Sequence, residues 1–191
     1  MIRSIIEKSY LLLARRNVAL VSLFIMVITT IIMMRIDTDL AGFGGKGFFY
    51  LQVAFTRSNV ASVLSSWKSG GVDMLMGFLW LYYINAVSYA FLFSSAAAYF
   101  SSQGKGDYAG PLRMLELAGL VIPFAAALLD WISNTLVYLI FSGRHLMEEM
   151  IMASSLIAAI KWAMIAASLI LVLRGYFTYR KSVKKGVSRE S

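Results

Sequence analysis

Long apolar blocks separated by shorter polar stretches set the pattern of this sequence. The blocks cover about residues 18–34, 74–100, 114–141 and 151–173. A run of about 18 or more apolar residues with few charges is typical of a transmembrane helix. We therefore predict an all-α, polytopic membrane protein in which four transmembrane helices form one bundle, with residues 1–191 as a single membrane domain.

The stretch at about residues 35–73 is the longest predicted loop. Its segment FFYLQVAF (48–55) is too short to cross a bilayer as a helix, and a β-strand is the alternative for it. The following NVASVLSSW (59–67) places apolar side chains on one helical face, and Thr56 or Ser58 precedes it as an N-cap. We predict a short interfacial helix here, lying over the bundle.

The composition leaves little room for a separate soluble domain. Hydrophobic residues make up 59% of the chain, and its mean hydropathy is +0.72, whereas soluble domains average about 45–50% apolar residues. The formal charge is +8, with the basic residues concentrated at the two ends of the chain. That distribution favours contact with anionic membrane lipid and argues against a nucleic-acid partner.

The positions of the basic residues also predict the orientation in the membrane. The two terminal segments and the loop at 101–113 hold 12 Lys and Arg residues, whereas the other two loops hold 5. Basic residues are in excess on the cytoplasmic side of membrane proteins. We therefore predict that both termini, including a basic tail over residues 174–191, lie in the cytoplasm, with a prokaryotic plasma membrane as the expected location.

Two charged residues interrupt the apolar blocks. A charge at the centre of a membrane helix costs about 2.5–3.5 kcal/mol or more, so such residues are usually paired or functional. Asp130 lies 11 residues before the end of the third block, and Lys161 lies 10 residues after the start of the fourth. At about 1.5 Å per residue, both lie roughly 15–16 Å below the same surface. We predict that they face each other as an ion pair.

Other polar and aromatic residues share this depth or face. Asn85 lies at the same predicted depth in the second block, with Tyr82 one turn away. Asn134 is one turn from Asp130, and each deep charge is followed directly by a tryptophan. A role as a structural pin that fixes helix register is the alternative to a binding site. The predicted ligand-binding layer comprises Tyr82, Asn85, Asp130, Trp131, Asn134, Lys161 and Trp162.

Small residues recur at a spacing of four in the fourth block: Ser155, Ala159, Ala163 and Ala167. Because lipid is as apolar as leucine, membrane helices associate through close packing at small residues. We predict that this stripe is a packing seam inside the bundle. A dimer interface on the same stripe is the alternative.

The titratable inventory limits the chemistry. The chain has no cysteine and one histidine, His145, which we place on a loop surface. Thiolate sites and histidine clusters are therefore excluded, and we expect no cofactor, no metal site and no catalytic residue. An intramembrane enzyme with Asp130 as acid or base and Lys161 as amine nucleophile is a further hypothesis, without a motif to support it.

Three stretches resemble a loosely defined group of small four-span prokaryotic membrane proteins without an assigned activity. They are YLQVAFT…VLSSW (50–67), LLDWISN (128–134) and IKW (160–162). Asp130, Asn134 and Lys161 match polar positions of that group, whereas Ser133 and Tyr82 stand where its members often carry acidic residues. The resemblance implies the same four-helix architecture and the same polar layer. It implies no reaction.

Two kinds of function fit these features. In the first, the chain binds or transports a small molecule, a lipid or an ion at the layer that contains Asn85, Asp130 and Lys161. In the second, the chain is a structural or assembly subunit of a membrane complex. Its partners would then be membrane lipid and either further copies of itself or another membrane protein.

Overall fold

The structure is a computed structural model that describes residues 2–42, 45–103, 114–142 and 147–187. Within these ranges it is all-helical and contains no strand, as predicted. Its helices, in chain order, are α1 (Ile2–Leu13), α2 (Arg16–Ala41), α3 (Phe48–Gln52), α4 (Arg57–Ser65), α5 (Gly71–Gln103), α6 (Met114–Ser142) and α7 (Glu148–Val187).

Four of these helices, α2, α5, α6 and α7, are long and apolar enough to cross a membrane, which confirms the predicted number of spans. All four are longer than the apolar blocks that predicted them. The largest difference is in α7, which continues through Arg174 to Val187, so that most of the basic tail is helical. Lys, Arg and Tyr residues sustain this extension, and the sequence has no proline there to interrupt it.

The helix α5 is the centre of the bundle. It packs along α2 on one side and along α6 on the other, and it also contacts α7, which packs against α6. Close approach of α5 and α6 depends on a small residue, because a Cβ atom at Gly119 would lie 3.0 Å from the Cβ of Ala97. In contrast, α2 and α7 make little or no direct contact with each other. A gap therefore separates these two helices.

The small-residue stripe on α7 is not the packing seam that we predicted. Ser155 is buried, but Ala159 and Ala163 are exposed. A strict spacing of four rotates by about 40° per step around an α-helix, because 3.6 residues make one turn. The buried side of α7 instead follows mixed spacings of three, four and seven through Ser154, Ala158, Lys161 and Ser168.

The predicted loop at 35–73 is mostly helical. The α2 helix continues to Ala41, and α4 begins after Thr56, whose hydroxyl oxygen accepts a hydrogen bond from the Asn59 N–H at 3.3 Å. Residues 48–52 form α3 and not a strand. Of the other two loops, residues 104–113 and 143–146 lie outside the described residues, and so does His145.

The segment 48–55 enters the bundle instead of lying over it. Phe48, Leu51 and Gln52 are all buried. After α3, the backbone N–H of Phe55 donates to the hydroxyl of Ser155 at 3.0 Å. Ser155 is about two turns inside α7 from its start, or roughly 10 Å along the axis. Below, the end of the bundle that holds α3 and α4 is called the α3–α4 end.

The N-terminal helix α1 docks against the opposite end of α5. Tyr10 and Leu13 are buried there, and the Tyr10 hydroxyl donates to the carbonyl oxygen of Ala98 at 3.2 Å. Burial, with a smaller contribution from the carboxylate of Glu116, raises the pKa of Tyr10 to about 12. The phenol therefore stays protonated, and able to donate this bond, well above neutral pH.

Candidate functional site

The two deep charges meet inside the bundle. Lys161 Nζ lies 2.7 Å from Asp130 Oδ1, and the side chains of Lys161 and Asp130 are only 2% and 10% exposed. Asp130 is 12 residues from the end of α6 and Lys161 is 13 residues from the start of α7, so the antiparallel packing of these helices brings them to a common depth. Charge and a short hydrogen bond therefore act together in this pair.

Two amides complete a closed set of hydrogen bonds around the pair. Lys161 Nζ also donates to Gln52 Oε1 at 3.1 Å. Gln52 Nε2 in turn donates to Asn134 Oδ1, and Asn134 Nδ2 donates to Asp130 Oδ1, both at 3.3 Å. We call Gln52, Asp130, Asn134 and Lys161 the polar ring. The Tyr89 hydroxyl donates to Asp130 Oδ2 at 3.4 Å from outside this ring.

Gln52 is the ring member that sequence reasoning missed. It is 4% exposed and links α3 to both α6 and α7. Its signal in the sequence was a single amide within the apolar run FFYLQVAF. A buried amide needs hydrogen-bond partners, so a glutamine in such a run indicates a polar site elsewhere in the fold.

Asn85 and Tyr82 do not join the polar ring. Asn85 Nδ2 donates to the hydroxyl of Thr29 at 2.8 Å and to that of Thr30 at 3.1 Å. The Tyr82 hydroxyl donates to Asp37 Oδ1 at 3.4 Å. Both contacts connect α5 to α2, so these residues form a second polar group that faces α2.

The two tryptophans have different surroundings. Trp162 borders the pair, because Lys161 Nζ lies 4.9 Å from the centre of its ring. Trp131 is turned away and donates from Nε1 to the Tyr83 carbonyl at 3.2 Å. Successive residues of a helix are rotated by about 100°, so adjacency to a buried charge does not place a side chain in the same site. Both tryptophans are partly exposed, at 42% for Trp131 and 43% for Trp162.

A cavity of about 310 Å³ lies in the gap between α2 and α7. The α5 helix forms its inner wall, and α3 covers it at the α3–α4 end. Its volume falls within the range of about 300–1,000 Å³ that is common for small-molecule sites. We call it the lateral cavity. Its polar and charged lining is formed by Thr30, Asp37, Gln52, Tyr82, Asn85, Tyr89, Asp130 and Lys161.

Most of the predicted layer therefore faces one space. Tyr82, Asn85, Asp130, Lys161 and Trp162 line the lateral cavity. Asn134 is fully buried behind Asp130, and Trp131 lies elsewhere, so neither contributes to the lining.

Asp37 is a further lining residue that the sequence did not single out. Its Oδ1 accepts hydrogen bonds from the Phe48 N–H at 3.2 Å and from Tyr82. In the described parts of the chain, no three His, Asp or Glu side chains are grouped closely enough to hold a metal ion. The chemistry of the cavity is thus that of carboxylates, one ammonium group, amides and hydroxyls.

Comparisons of the chain with protein-family models, with curated proteins and with solved structures found no match.

Proposed function

We propose that the chain is a membrane protein that binds a small amphipathic molecule, entering from the bilayer through the gap between α2 and α7. The observation that carries this proposal is the lateral cavity itself, which brings Asn85 together with the Asp130–Lys161 pair. A packed four-helix bundle does not need an open space beside a buried ion pair.

The shape and lining of the cavity support an amphipathic ligand. Its residues on α2 run from Met26 to Asp37, which is roughly 16 Å along the helix axis. Asp37 and Tyr82 lie toward the α3–α4 end, whereas Met26, Phe93 and Ile165 make the other end apolar. A molecule with a polar group and a short apolar body matches this division.

The topology that fits this proposal places both termini in the cytoplasm of a prokaryotic plasma membrane. The support is the excess of basic residues in the terminal segments and in the 101–113 loop. The α3–α4 end then lies on the outer side. A ligand dissolved in the outer leaflet would have direct access to the gap, with membrane lipid as its solvent.

Native mass spectrometry of the purified protein tests this proposal. Thr30 lines the cavity, so the indole ring of Thr30→Trp should obstruct it and displace any co-purified small molecule. Its neighbour Ile31 is 61% exposed and does not line the cavity, so Ile31→Trp is the matched control. Equal amounts of bound molecule in the two variants, or none in the wild type when candidate amphiphiles are added, would contradict ligand binding here.

A second candidate function is a structural or assembly subunit. The observation that favours it is the completeness of the polar ring: with the Tyr89 hydroxyl at Asp130 Oδ2, every charged atom already has a protein partner. Such a ring fixes the register of α3, α6 and α7 without any ligand. The gap between α2 and α7 would then receive a helix from another copy of the chain or from a partner membrane protein.

The double substitution Asp130→Leu/Lys161→Met separates the two functions. If the pair is only a register pin, the double variant keeps its stability and its oligomeric state. If the pair itself holds the ligand, the same variant folds but loses the bound molecule. The two readings therefore differ in ligand content and not in folding.

A further inference from the structure

The lateral cavity carries an imbalance of charge. Its lining holds two carboxylates, Asp37 and Asp130, but one ammonium group, Lys161. Lys161 Nζ already forms an ion pair with Asp130 Oδ1 at 2.7 Å. The nearest basic residue along α2, Arg35, pairs with Asp39 instead, at 3.4 Å. Among the described residues, Asp37 therefore has no cationic partner.

The two oxygen atoms of the Asp37 carboxylate differ in their hydrogen bonds. Oδ1 is occupied by the Phe48 N–H and the Tyr82 hydroxyl. For Oδ2, no described residue donates a hydrogen bond. The chain leaves room at this atom through Gly47, since a Cβ there would lie 2.6 Å from Oδ2. Asp37 thus lines the cavity with a carboxylate whose Oδ1 is held by two hydrogen bonds and whose Oδ2 packs against Gly47.

Aromatic rings surround the same end of the cavity. Phe48 and Tyr82 are in contact, with ring centres 4.4 Å apart. Phe49 and Trp162 form an edge-to-face pair with ring centres 5.6 Å apart, and all four rings line the cavity. The face of an aromatic ring attracts a cation, and the attraction grows when the cation leaves water. The ring of Trp162 already contacts the Lys161 ammonium. The other three rings and the Asp37 carboxylate together favour a positive charge in a ligand.

We infer that the ligand of the lateral cavity is a lipophilic organic cation, with an ammonium head at Asp37 and an apolar body toward Met26 and Ile165. This inference rests on the proposed function and names its substrate class. A neutral amphiphile would leave the cavity with its unbalanced carboxylate. An anionic amphiphile would bring a second negative charge close to Asp37, which is strongly unfavourable in a low-dielectric site.

The test uses the full chain in phosphatidylcholine nanodiscs, with empty nanodiscs as background. The probes are decyltrimethylammonium and decanesulfonate, which share the decyl chain and differ in charge. Asp37→Asn keeps an oxygen for the Phe48 N–H and removes the charge. Asp39→Asn is the matched control, because Asp39 is two residues away on α2, pairs with Arg35 and does not line the cavity.

We expect saturable binding of decyltrimethylammonium to the wild type and to Asp39→Asn. Binding should be at least about tenfold weaker in Asp37→Asn, which corresponds to about 1.4 kcal/mol. Gly47→Ala, which crowds Oδ2 without changing any charge, should weaken binding as well. If Asp37→Asn fails to fold, two other results test the inference. They are tighter binding of decyltrimethylammonium than of decanesulfonate by the wild type, and weaker binding of the cation by Gly47→Ala.

Two results would overturn the inference. One is equal affinity of Asp37→Asn and Asp39→Asn for the cation. The other is binding of decanesulfonate as tight as that of decyltrimethylammonium. In either case, loss of probe binding in Thr30→Trp would show that the proposed binding function survives. If neither probe binds, and Thr30→Trp does not change the co-purified molecules seen by native mass spectrometry, both the inference and the proposed function are wrong.

Discussion

Gln52 and Lys161 are 109 residues apart in the sequence, and their side chains meet at 3.1 Å. This contact attaches α3 to α7. At its other end, α3 is attached to α2, because Asp37 accepts a hydrogen bond from the first N–H of α3, that of Phe48. A five-residue helix therefore bridges the two long helices that otherwise have little contact, and it closes one end of the lateral cavity.

Replacing Gln52 by leucine should destabilise the protein. The change leaves Lys161 without one acceptor and Asn134 without one donor, and each unsatisfied buried group costs about 1–3 kcal/mol. Thermal unfolding in detergent, followed by circular dichroism, measures the effect. Tyr50→Leu is the control, because Tyr50 lies on the same short helix and is half exposed. Equal melting temperatures for the two variants would show that Gln52 does not stabilise the ring.

Breaking the Asp130–Lys161 pair from one side should cost more than removing it. Asp130→Leu or Lys161→Met alone leaves a buried charge without its partner, at a cost of about 3–5 kcal/mol. The double variant Asp130→Leu/Lys161→Met should recover much of that loss. Chemical or thermal unfolding of the four proteins gives a double-mutant cycle. Additive losses would contradict direct coupling between the two charges.

Asn85→Leu should loosen α2. The substitution removes the donors that hold the Thr29 and Thr30 hydroxyls, and interhelical hydrogen bonds in membrane proteins contribute about 0.6–2 kcal/mol. Faster amide exchange in α2, with α6 unchanged, is the expected result in hydrogen–deuterium exchange. Val87→Ala, at an exposed position of the same helix, should leave exchange in α2 as it is.

Tyr10→Phe should weaken the docking of α1. The wild-type hydroxyl donates to the Ala98 carbonyl, and a single hydrogen bond of this kind contributes about 0.5–1.5 kcal/mol. Limited trypsin digestion reports the change as faster cleavage after Lys8, an exposed residue of α1. Tyr138→Phe removes an exposed hydroxyl on α6 and should not alter this rate.

The raised pKa of Tyr10 gives the same contact a pH dependence. The pKa is about 12 in the folded chain and 10.0 without the fold. Because the folded pKa is higher, the stabilisation is complete below pH 10.0 and is lost as the pH rises toward about 12. Ultraviolet difference absorbance between wild type and Tyr10→Phe follows the titration. A titration near the ordinary value would contradict burial of the phenol.

The sequence predicted the number of long helices and the depth of the two buried charges. Four helices followed from the apolar blocks, because a backbone in the bilayer has to satisfy its hydrogen bonds within each helix. Counting residues from the block ends also placed Asp130 and Lys161 at one depth, since the helical rise is constant. The predicted block ends were wrong by one residue in α6 and by three in α7, which shifts the two depths by only about 1.5 and 4.5 Å.

The path of the chain outside the long helices could not be predicted in the same way. Gln52 reaches the ring because Ser155 and Asp37 hold the ends of its segment, and these contacts are visible only in three dimensions. The predictions for Trp131 and Ala159 were wrong in the direction of the side chain around the helix axis. A rotation of 40–100° around a helix axis moves a side chain from the interior to the surface, although its depth is unchanged.

The bridge made by α3 has a consequence for the order of assembly during synthesis. Gln52 emerges from the ribosome 82 residues before Asn134 and 109 residues before Lys161. At about 5–20 residues per second, its last partner follows roughly 5–20 s later. Over that interval the segment has no ring to join, so α3 can take up its final position only after α7 has been inserted. The lateral cavity is therefore closed at this end only after α7 has been made, by a residue of α3 that was made 109 residues earlier.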